Sequence, residues 1–328
     1  MNYAVIGTGY WGSNHARVGA ELAAGGEIDS VVLCDVDEER VTELAESYDV
    51  EYTTDYEELS ELDVDAATIA TPSPTHHAIA TTLLRDGIDC LVEKPLALSS
   101  DEAWDIVDVA EAEGRSLGVG HIFRYHPALR DLKQRIDRGE LGRIKYVNSS
   151  RFSFRIPRQT AGVLYSLAVH DVDISNYLLD RRPESLYCNL DCHIREDIDE
   201  TATIVMEYGE ATSVINESWQ IPVFGKRRDL IVVGSEQVAY VDYLEDTVVE
   251  LYDATVSGSG DAMRVRDEGK QVYETEQREP LKLEVQEFLA ACDAGEHPVA
   301  SGKVGAETVE LLKLARTSSD EDAVVDLE

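Results

Sequence analysis

Three glycines near the start of the chain have the spacing of a phosphate-binding turn. Gly7, Gly9 and Gly12 form the pattern G-x-G-x-x-G directly after the apolar run YAVI and before a helical pattern. The first glycine permits a tight turn, the second lets the backbone approach a pyrophosphate, and the third lets helix and strand pack closely. Because a helix N-terminus attracts phosphate, the sequence predicts a dinucleotide site here, with Tyr10 and Trp11 beside the glycines.

Asp35 follows the second apolar run, SVVLC, and bears on which dinucleotide binds. A carboxylate at this place accepts hydrogen bonds from both adenosine ribose hydroxyls, whereas the 2'-phosphate of NADP would meet like charge. No arginine follows directly, although Arg40 is near. The sequence therefore favours NAD over NADP, and a helix cap is the structural alternative for Asp35.

Two short segments that could contact a cofactor directly follow the third and fourth apolar runs. Thr71, Pro72 and His76 belong to the segment after DAATIA, and Glu93 and Lys94 follow DCLV. The carboxyl ends of parallel strands lie at one edge of a sheet, where ligands bind in open α/β folds. We therefore expect both segments to line the cofactor site.

The apolar pattern divides the chain into two domains. Over residues 1–120, short apolar runs alternate with helical patterns, which predicts a Rossmann domain with a doubly wound parallel sheet. Over residues 121–328, successive strands with tight turns predict an α+β domain with a mostly antiparallel, open sheet. Its other predicted elements are a helix over 162–179, a polar loop over 257–270, and closing helices near 281–294 and 304–315.

Composition excludes several classes of partner. Asp and Glu number 65 against 29 Lys and Arg, so the net charge of -36 repels nucleic acid and anionic membrane surfaces. No apolar run approaches the roughly 20 residues of a membrane span, and the N-terminus lacks a basic signal start, which predicts a cytoplasmic protein. The acid is spread along the whole chain, which favours adaptation to molar salt over an ordinary acidic mesophilic protein.

The five cysteines are scattered and odd in number, which favours free thiols in a reducing compartment. Cys188, Cys192 and His193 together suggest metal ligands. The alternation in SLYCNLDCHI fits a strand better, so no metal site is predicted.

The successive motifs of the chain resemble those of the glucose-fructose oxidoreductase, inositol dehydrogenase and rhizopine catabolism (Gfo/Idh/MocA) family. The segments that carry this resemblance are GTGYWGSNH, TPSPTHH, VEKPLAL, RYHPALRDLKQRIDRGELGRI, GVLYSLAVHDVD and EPLKLEVQEFL. They occur in the family's order and cover nearly the whole chain. The resemblance implies NAD-dependent oxidation of a sugar hydroxyl by a homodimer or homotetramer joined through the open sheet face.

The resemblance also implies the residues that handle the proton. In the family, the lysine of the E-K-P segment hydrogen-bonds the reacting hydroxyl, and Lys94 matches it. His170 matches the family's general base, so both side chains are expected to meet the same substrate carbon. A solvated lysine and a structural histidine are the alternatives. Arg124 and Tyr125, in the segment RYHP, are included in the expected substrate site.

Three arginines stand out in the stretch SSRFSFRIPR of this acidic chain. Arg151, Arg155 and Arg158 are candidates to receive a substrate phosphate or carboxylate, because guanidinium groups bind these anions bidentately. Alternation along a strand puts Arg151 and Arg155 on one face, so salt bridges to the surplus acids are an equal alternative. The stretch from Arg151 to Asp173 looks most similar to UDP-N-acetylglucosamine 3-dehydrogenases, which favours a nucleotide sugar over a free sugar or cyclitol.

Ser166 departs from the family pattern. The family usually has an aspartate four residues before the histidine, on the same helix face. A serine forms hydrogen bonds but supplies no charge, so either Asp173 replaces that carboxylate or turnover is reduced. The departure leaves open a non-catalytic NAD-binding protein, and an NAD-dependent glycosidase that oxidises C3 transiently is a further alternative.

We expect Ser166→Asp to preserve or raise turnover. An aspartate at this position would orient the imidazole of His170 and stabilise its cation. The check is a comparison of kcat between the variant and the wild-type protein, with circular dichroism as the control for folding. A collapse of activity in a folded variant would contradict this role of Ser166.

Overall fold

The computed structural model describes residues 1–157, 161–222, 226–245, 247–258 and 260–327. Arg158, one of the three arginines singled out above, lies outside the described residues. Across these ranges no helix is both long enough and apolar enough to cross a membrane. The chain divides into a first unit of residues 1–122 and 279–310 and a second unit of residues 123–278 and 311–328.

A parallel sheet forms the centre of the first unit. Its strands are β1 (Asn2–Ile6), β2 (Ser30–Cys34), β3 (Glu51–Thr53), β4 (Ala66–Ile69), β5 (Asp89–Val92) and β6 (Leu117–Val119), and the helices between them are α1 (Tyr10–Ala24), α2 (Glu38–Tyr48), α3 (His76–Arg85) and α4 (Ser100–Glu113). The strand order β3-β2-β1-β4-β5-β6 confirms the predicted doubly wound sheet. Strand β4 is buried along its whole length, as expected where helices cover both faces of a sheet.

The second unit is built on a nine-stranded sheet. Its elements are α5 (Pro127–Asp137), β7 (Ile144–Ser153), α6 (Val169–Leu179), β8 (Ser185–Asp191), β9 (Thr201–Glu207), β10 (Thr212–Ser218), β11 (Lys226–Gly234), β12 (Val238–Asp242), β13 (Val248–Ser257) and β14 (Arg264–Glu274). The chain then closes with α7 (Pro280–Ala294), α8 (Gly302–Glu321) and β15 (Val325–Asp326). Among the strand pairs described for this second sheet, only the pair of β7 with β10 is parallel, which confirms the mostly antiparallel sheet.

Helices α5 and α6 pack on one face of this sheet. Leu132 of α5 and Leu178 of α6 are fully or almost fully buried, and they lie in one apolar cluster with Leu230 and Val232 of β11. Strands β9 and β10 alternate buried and partly exposed residues, as expected for a sheet that is covered on one face.

The helix predicted over residues 162–179 is not uniform. Its first part, Leu164–Ala168, is a π-helical turn, and regular α-helix starts only at Val169. A π turn widens the hydrogen-bond ladder to the fifth residue, which a periodic apolar pattern does not reveal. The turn lies directly before the segment that carries His170.

The prediction of a polar loop over residues 257–270 is wrong for the second half of that range. Residues from Arg264 form β14, which pairs antiparallel with β13 at the edge of the sheet. Most of its side chains are exposed on both faces, so the strand has no apolar alternation from which it could be predicted.

The chain does not divide at one point as the predicted domains 1–120 and 121–328 do. Residues 279–310 belong to the first unit. In α7, Leu281, Val285 and Phe288 pack in one cluster with Tyr3 and Leu22. The apolar stripe of a helix predicts that one face is buried, but it does not specify the partner, which explains the difference.

Gly12→Ala should destabilise the first unit strongly. A Cβ at Gly12 would lie 1.6 Å from the carbonyl oxygen of Gly7, a backbone atom that cannot move aside. We expect the free energy of unfolding to fall by about 3 kcal/mol or more, measured by denaturant titration. Gly9→Ala is the matched control, because a Cβ there would meet no atom within 4 Å, and its loss should be about 1 kcal/mol or less. Equal losses in both variants would contradict this packing argument.

Candidate active site

The turn between β1 and α1 fits the phosphates of a dinucleotide. Gly7 has a φ of +87°, and Gly9 caps α1 with no side-chain hydrogen bond and no acidic residue in the first turn. The first backbone N–H groups of α1 therefore remain available to an anion. Tyr10 and Trp11 project from the start of this helix as exposed side chains, with their rings edge to face at 5.7 Å.

Asp35 follows β2 and is held as a carboxylate. Its Oδ2 accepts hydrogen bonds from the backbone N–H of Thr8 at 2.6 Å and from the Thr8 hydroxyl at 2.8 Å. Burial opposes its ionisation, but hydrogen bonds from the backbone of Asp37 and Thr8 outweigh burial and keep the pKa of Asp35 below its usual value. The guanidinium of Arg40 also reaches Oδ2, at 3.3 Å, and is half exposed. Asp35 thus presents a negative charge with one cation beside it.

His76 ties together the two segments at the carboxyl edge of the sheet. One ring nitrogen lies 2.9 Å from the carbonyl oxygen of Thr71, and the other lies 2.9 Å from that of Pro95. Burial lowers the pKa of His76, and the neutral ring that this favours can donate a hydrogen bond to one of the two carbonyls. Within the first unit, therefore, His76 positions the segments after β4 and β5, and Pro72 is exposed in the first of them.

Glu93 and Lys94 follow β5, and Glu93 is anchored from α1. The ring Nε2 of His15 lies 3.1 Å from one carboxylate oxygen of Glu93, and the backbone N–H of Lys94 donates to the other at 3.2 Å. Burial opposes ionisation of Glu93, but His15 and the charge of Lys94 hold the pKa of Glu93 below its usual value. Sequence analysis did not assign His15, although the histidine three residues after Gly12 was the available signal.

His170 lies in the first turn of α6 and is half-buried. Its ring contacts the ring of Phe123 edge to face, with centroids 5.0 Å apart. Ser166 is buried within the π turn that precedes α6. Lys94 belongs to the first unit and His170 to the second, and their action on one substrate carbon stays a prediction.

Asp173 forms an ion pair with Arg124. The guanidinium Nε of Arg124 donates to both carboxylate oxygens of Asp173 at 2.9 and 3.1 Å, and a terminal nitrogen lies 2.7 Å from one of them. Tyr125 is buried, with the guanidinium of Arg130 over its ring at 4.8 Å. Asp173 is therefore held by a cation of its own unit, which weakens its assignment as a substitute for the missing carboxylate.

Arg151 and Arg155 occupy different environments. Arg151 is 2% exposed in β7 and pairs with Asp171, to which its guanidinium donates from Nε and, at 3.2 Å, from a terminal nitrogen. Strand β7 ends at Ser153, so the alternation expected to place both arginines on one face does not reach Arg155. Arg155 is exposed, with its guanidinium 5.7 Å from the ring centre of Trp219. For Arg151 the geometry favours the salt bridge over a substrate contact.

A second carboxyl group lies beside the Arg151 ion pair. Glu217 of β10 is fully buried and in register with Arg151, with its carboxyl oxygen 4.0 Å from the guanidinium Nε. Burial and the charge of Asp171 raise the pKa of Glu217 well above its usual value. Burial also opposes ionisation of Asp171, but Arg151 overcomes it and lowers the pKa of Asp171. Arg151 and Asp171 therefore form the charged pair, and burial favours the uncharged form of Glu217 beside them.

The cysteines and histidine considered as metal ligands are not gathered into a site. Cys188 is buried in β8, whereas Cys192 is exposed. Among the residues with described positions, no three His, Cys, Asp or Glu side chains lie close enough to hold a metal ion.

Two family models match consecutive parts of the chain. The model described as "Oxidoreductase family, NAD-binding Rossmann fold" matches residues 1–121, and the model described as "GFO/IDH/MocA C-terminal domain" matches residues 129–240. The first match covers the glycine turn, Asp35 and Lys94. The second covers His170 and Arg151.

Relatives with different substrates match most of the chain. UDP-N-acetylglucosamine 3-dehydrogenase of Acidithiobacillus ferrooxidans is 28% identical over 93% of this chain and 93% of that protein. The NAD-linked scyllo-inositol 2-dehydrogenase of Bacillus subtilis is 26% identical over 91% of this chain and 88% of that protein.

Solved structures share the fold of the chain. A structure of the Acidithiobacillus ferrooxidans enzyme has a TM-score of 0.83 at 25% identity, covering 98% of both chains. Levoglucosan dehydrogenase with NADH and levoglucosan has a TM-score of 0.87 at 18% identity, covering 99% of both chains, and at this identity the likeness concerns the fold alone.

Glu217→Gln should be tolerated, whereas Asp171→Asn should not. A protonated carboxyl and an amide have the same shape and both donate a hydrogen bond, so we expect Glu217→Gln to change the free energy of unfolding by less than about 1 kcal/mol. Asp171→Asn leaves the buried guanidinium of Arg151 without its countercharge and should cost about 3–5 kcal/mol. Denaturant titration of both variants at neutral pH checks the difference. A large loss in Glu217→Gln would mean that Glu217 is ionised.

Proposed function

The chain belongs to the GFO/IDH/MocA family of oxidoreductases, and from this we propose that it oxidises a secondary hydroxyl of a nucleotide sugar with NAD. The leading substrate is UDP-N-acetylglucosamine, oxidised at C3. The observation that carries the proposal is the match to a UDP-N-acetylglucosamine 3-dehydrogenase along 93% of both chains. Lys94 after β5 and His170 in the first turn of α6 are the residues to which we assign the chemistry.

Oxidation of a secondary alcohol removes one hydride from carbon and one proton from oxygen, and a carbonyl forms. Bound NAD supplies the hydride acceptor. We assign the proton to the half-buried imidazole of His170, because a neutral imidazole nitrogen can accept a proton from a hydroxyl. The ammonium of Lys94 polarises the reacting oxygen and stabilises its developing negative charge.

NAD is favoured over NADP because Asp35 stays ionised at neutral pH. Its carboxylate can accept further hydrogen bonds from the two ribose hydroxyls, whereas a 2'-phosphate would meet like charge. Arg40 offsets part of this charge from one side, but it is half exposed and also pairs with Asp37. We therefore propose that the protein binds NAD more tightly than NADP without excluding NADP. A lower KM for NAD than for NADP would support this.

The substrate end of the proposal rests on fewer residues than the sequence suggested. Arg151 forms an ion pair with Asp171. Of the arginines in this stretch whose positions are described, the exposed Arg155 is therefore the one that can bind a diphosphate. A free sugar or cyclitol would need no such cation. The similarity to an inositol dehydrogenase supports this alternative substrate class. The homodimer or homotetramer joined through the open sheet face also remains a prediction.

A substrate panel with two active-site variants tests the proposal. The protein is offered NAD with UDP-N-acetylglucosamine, UDP-glucose, glucose, inositol and aryl glycosides, and both nicotinamide absorbance and released aglycone are followed. We expect reduction of NAD with the UDP-sugars, and a loss of about 10²–10⁴ in kcat for Lys94→Met and His170→Gln, because each removes a proton-handling group.

Matched controls for the two variants are Lys303→Met and His77→Gln. Lys303 is an exposed lysine of α8, and His77 is a half-buried histidine paired with Asp105 at 2.7 Å, so both should keep wild-type kcat. Turnover of inositol or glucose alone would replace the nucleotide sugar as substrate. Tight NAD binding without turnover of any compound would favour a non-catalytic protein, and aglycone release would favour a glycosidase.

A further inference from the structure

We propose that Arg151 is a positioning residue for His170, which it holds through Asp171 and Phe123 without touching the substrate. The proposal rests on the assignment of His170 as the general base. It gives Arg151 a different task from the anion binding that the sequence suggested.

The ion pair fixes the start of α6. Asp171 is the residue after His170, and its carboxylate accepts from Arg151 and, at 2.6 Å, from the hydroxyl of Ser149. The hydroxyl of Tyr243 reaches the same carboxylate at 3.5 Å. Arg151 and Ser149 both lie on β7, so the first turn of the helix is tied to a central strand of the sheet.

The guanidinium of Arg151 is also held by two aromatic rings. It lies 4.2 Å from the ring centre of Phe123 and 4.6 Å from that of Tyr243. The ring of Phe123 in turn contacts the imidazole of His170 edge to face. A planar guanidinium can stack and form a bidentate ion pair at once, which an ammonium cannot. Arg151 therefore contacts both Asp171, which follows His170 in the chain, and Phe123, whose ring contacts His170.

The anchor lies directly after an irregular turn of the helix backbone. The π turn Leu164–Ala168 interrupts the regular hydrogen-bond ladder immediately before α6. The backbone N–H of Val169 bonds across this turn to the carbonyl of Leu164. The side-chain contacts of Asp171 therefore hold the first regular turn after this change in the hydrogen-bond pattern.

The buried ion pair with Asp171 occupies the guanidinium of Arg151 and opposes its use by a substrate anion. Asp171 balances its charge, and burial raises the pKa of Glu217 on one neighbouring strand, which favours its uncharged form. Arg228 lies in register with Arg151 on the other neighbouring strand and is half-buried. A substrate anion at Arg151 would have to displace Asp171 from a fully buried pair.

Arg151→Lys and Arg151→Met test the proposal against the wild-type protein. The lysine keeps the charge but loses the stacking and the bidentate pair, so the variant should fold while kcat falls by about tenfold to a hundredfold with KM little changed. The methionine should lose more kcat and also stability. Arg227→Met is the matched control, since Arg227 pairs with Asp229 at 2.8 Å on the same sheet but is largely exposed, and its kcat should stay at the wild-type value.

An activity-independent readout separates this proposal from the proposed function. The imidazole C–H resonance of His170, assigned with His170→Gln, reports the ring's surroundings, and its nuclear Overhauser effect to Phe123 reports their contact. We expect both to change in the two Arg151 variants and to stay unchanged in Arg227→Met. Full activity in His170→Gln would defeat the catalytic assignment, and the resonance would still show whether Arg151 holds the ring.

Two outcomes would overturn the proposal. A folded Arg151→Lys variant with wild-type kcat and an unchanged His170 resonance would show that the ring is held without Arg151. A loss carried mainly by KM, with the resonance unchanged, would return Arg151 to substrate binding.

Discussion

The buried ion pair between Arg151 and Asp171 is the interaction on which the candidate site of the second unit depends. Removing two charges from water costs several kcal/mol per ion, and only good geometry with additional hydrogen bonds offsets that cost. The hydroxyl of Ser149 supplies such a bond to Asp171. Asp171 is the next residue after His170. The contacts that offset the cost of burying the ion pair therefore also fix the orientation of the His170 imidazole, the proposed general base.

The two units hold their candidate groups by different physical means. In the first unit, backbone topology does most of the positioning, because parallel strands end at one edge and place the segments after β4 and β5 side by side. His76 and the His15–Glu93 contact then hold these segments in place. In the second unit, side chains on a strand and a helix do the positioning. The first arrangement is therefore most sensitive to an added Cβ at a glycine, and the second to the loss of a charge.

This difference explains which parts of the site the sequence predicts. The glycine turn, Asp35 and the segment of Lys94 follow from motifs and from strand ends, which are local in sequence. The pairing of Arg151 with Asp171 joins residues 20 positions apart and depends on the sheet face and helix register, which no local pattern contains. Glu217 is further away in sequence and enters the cluster only through the pairing of β10 with β7.

The same reasoning applies to the fold. Apolar periodicity predicts the doubly wound parallel sheet and the mostly antiparallel sheet, because most of their strands bury one or both faces. It fails for β14, whose side chains are mostly exposed, and for the π turn, which changes hydrogen bonding without changing composition. It also predicts that α7 has a buried face, but only the contacts of Phe288 with the first unit identify the partner.

The surplus of acid and the buried ion pairs should respond differently to salt. Dissolved ions screen exposed charges beyond a Debye length of about 10 Å at 0.1 M and about 3 Å at 1 M, but they act much less on buried pairs. The self-repulsion that follows from a net charge of -36 is therefore salt-dependent, whereas the pairs Arg124–Asp173 and Arg151–Asp171 are shielded from the solvent. Adaptation to molar salt gains no support from the relatives and stays a prediction. On these electrostatic grounds, dilute buffer would lower the stability of the whole chain before it disturbed the contacts around His170.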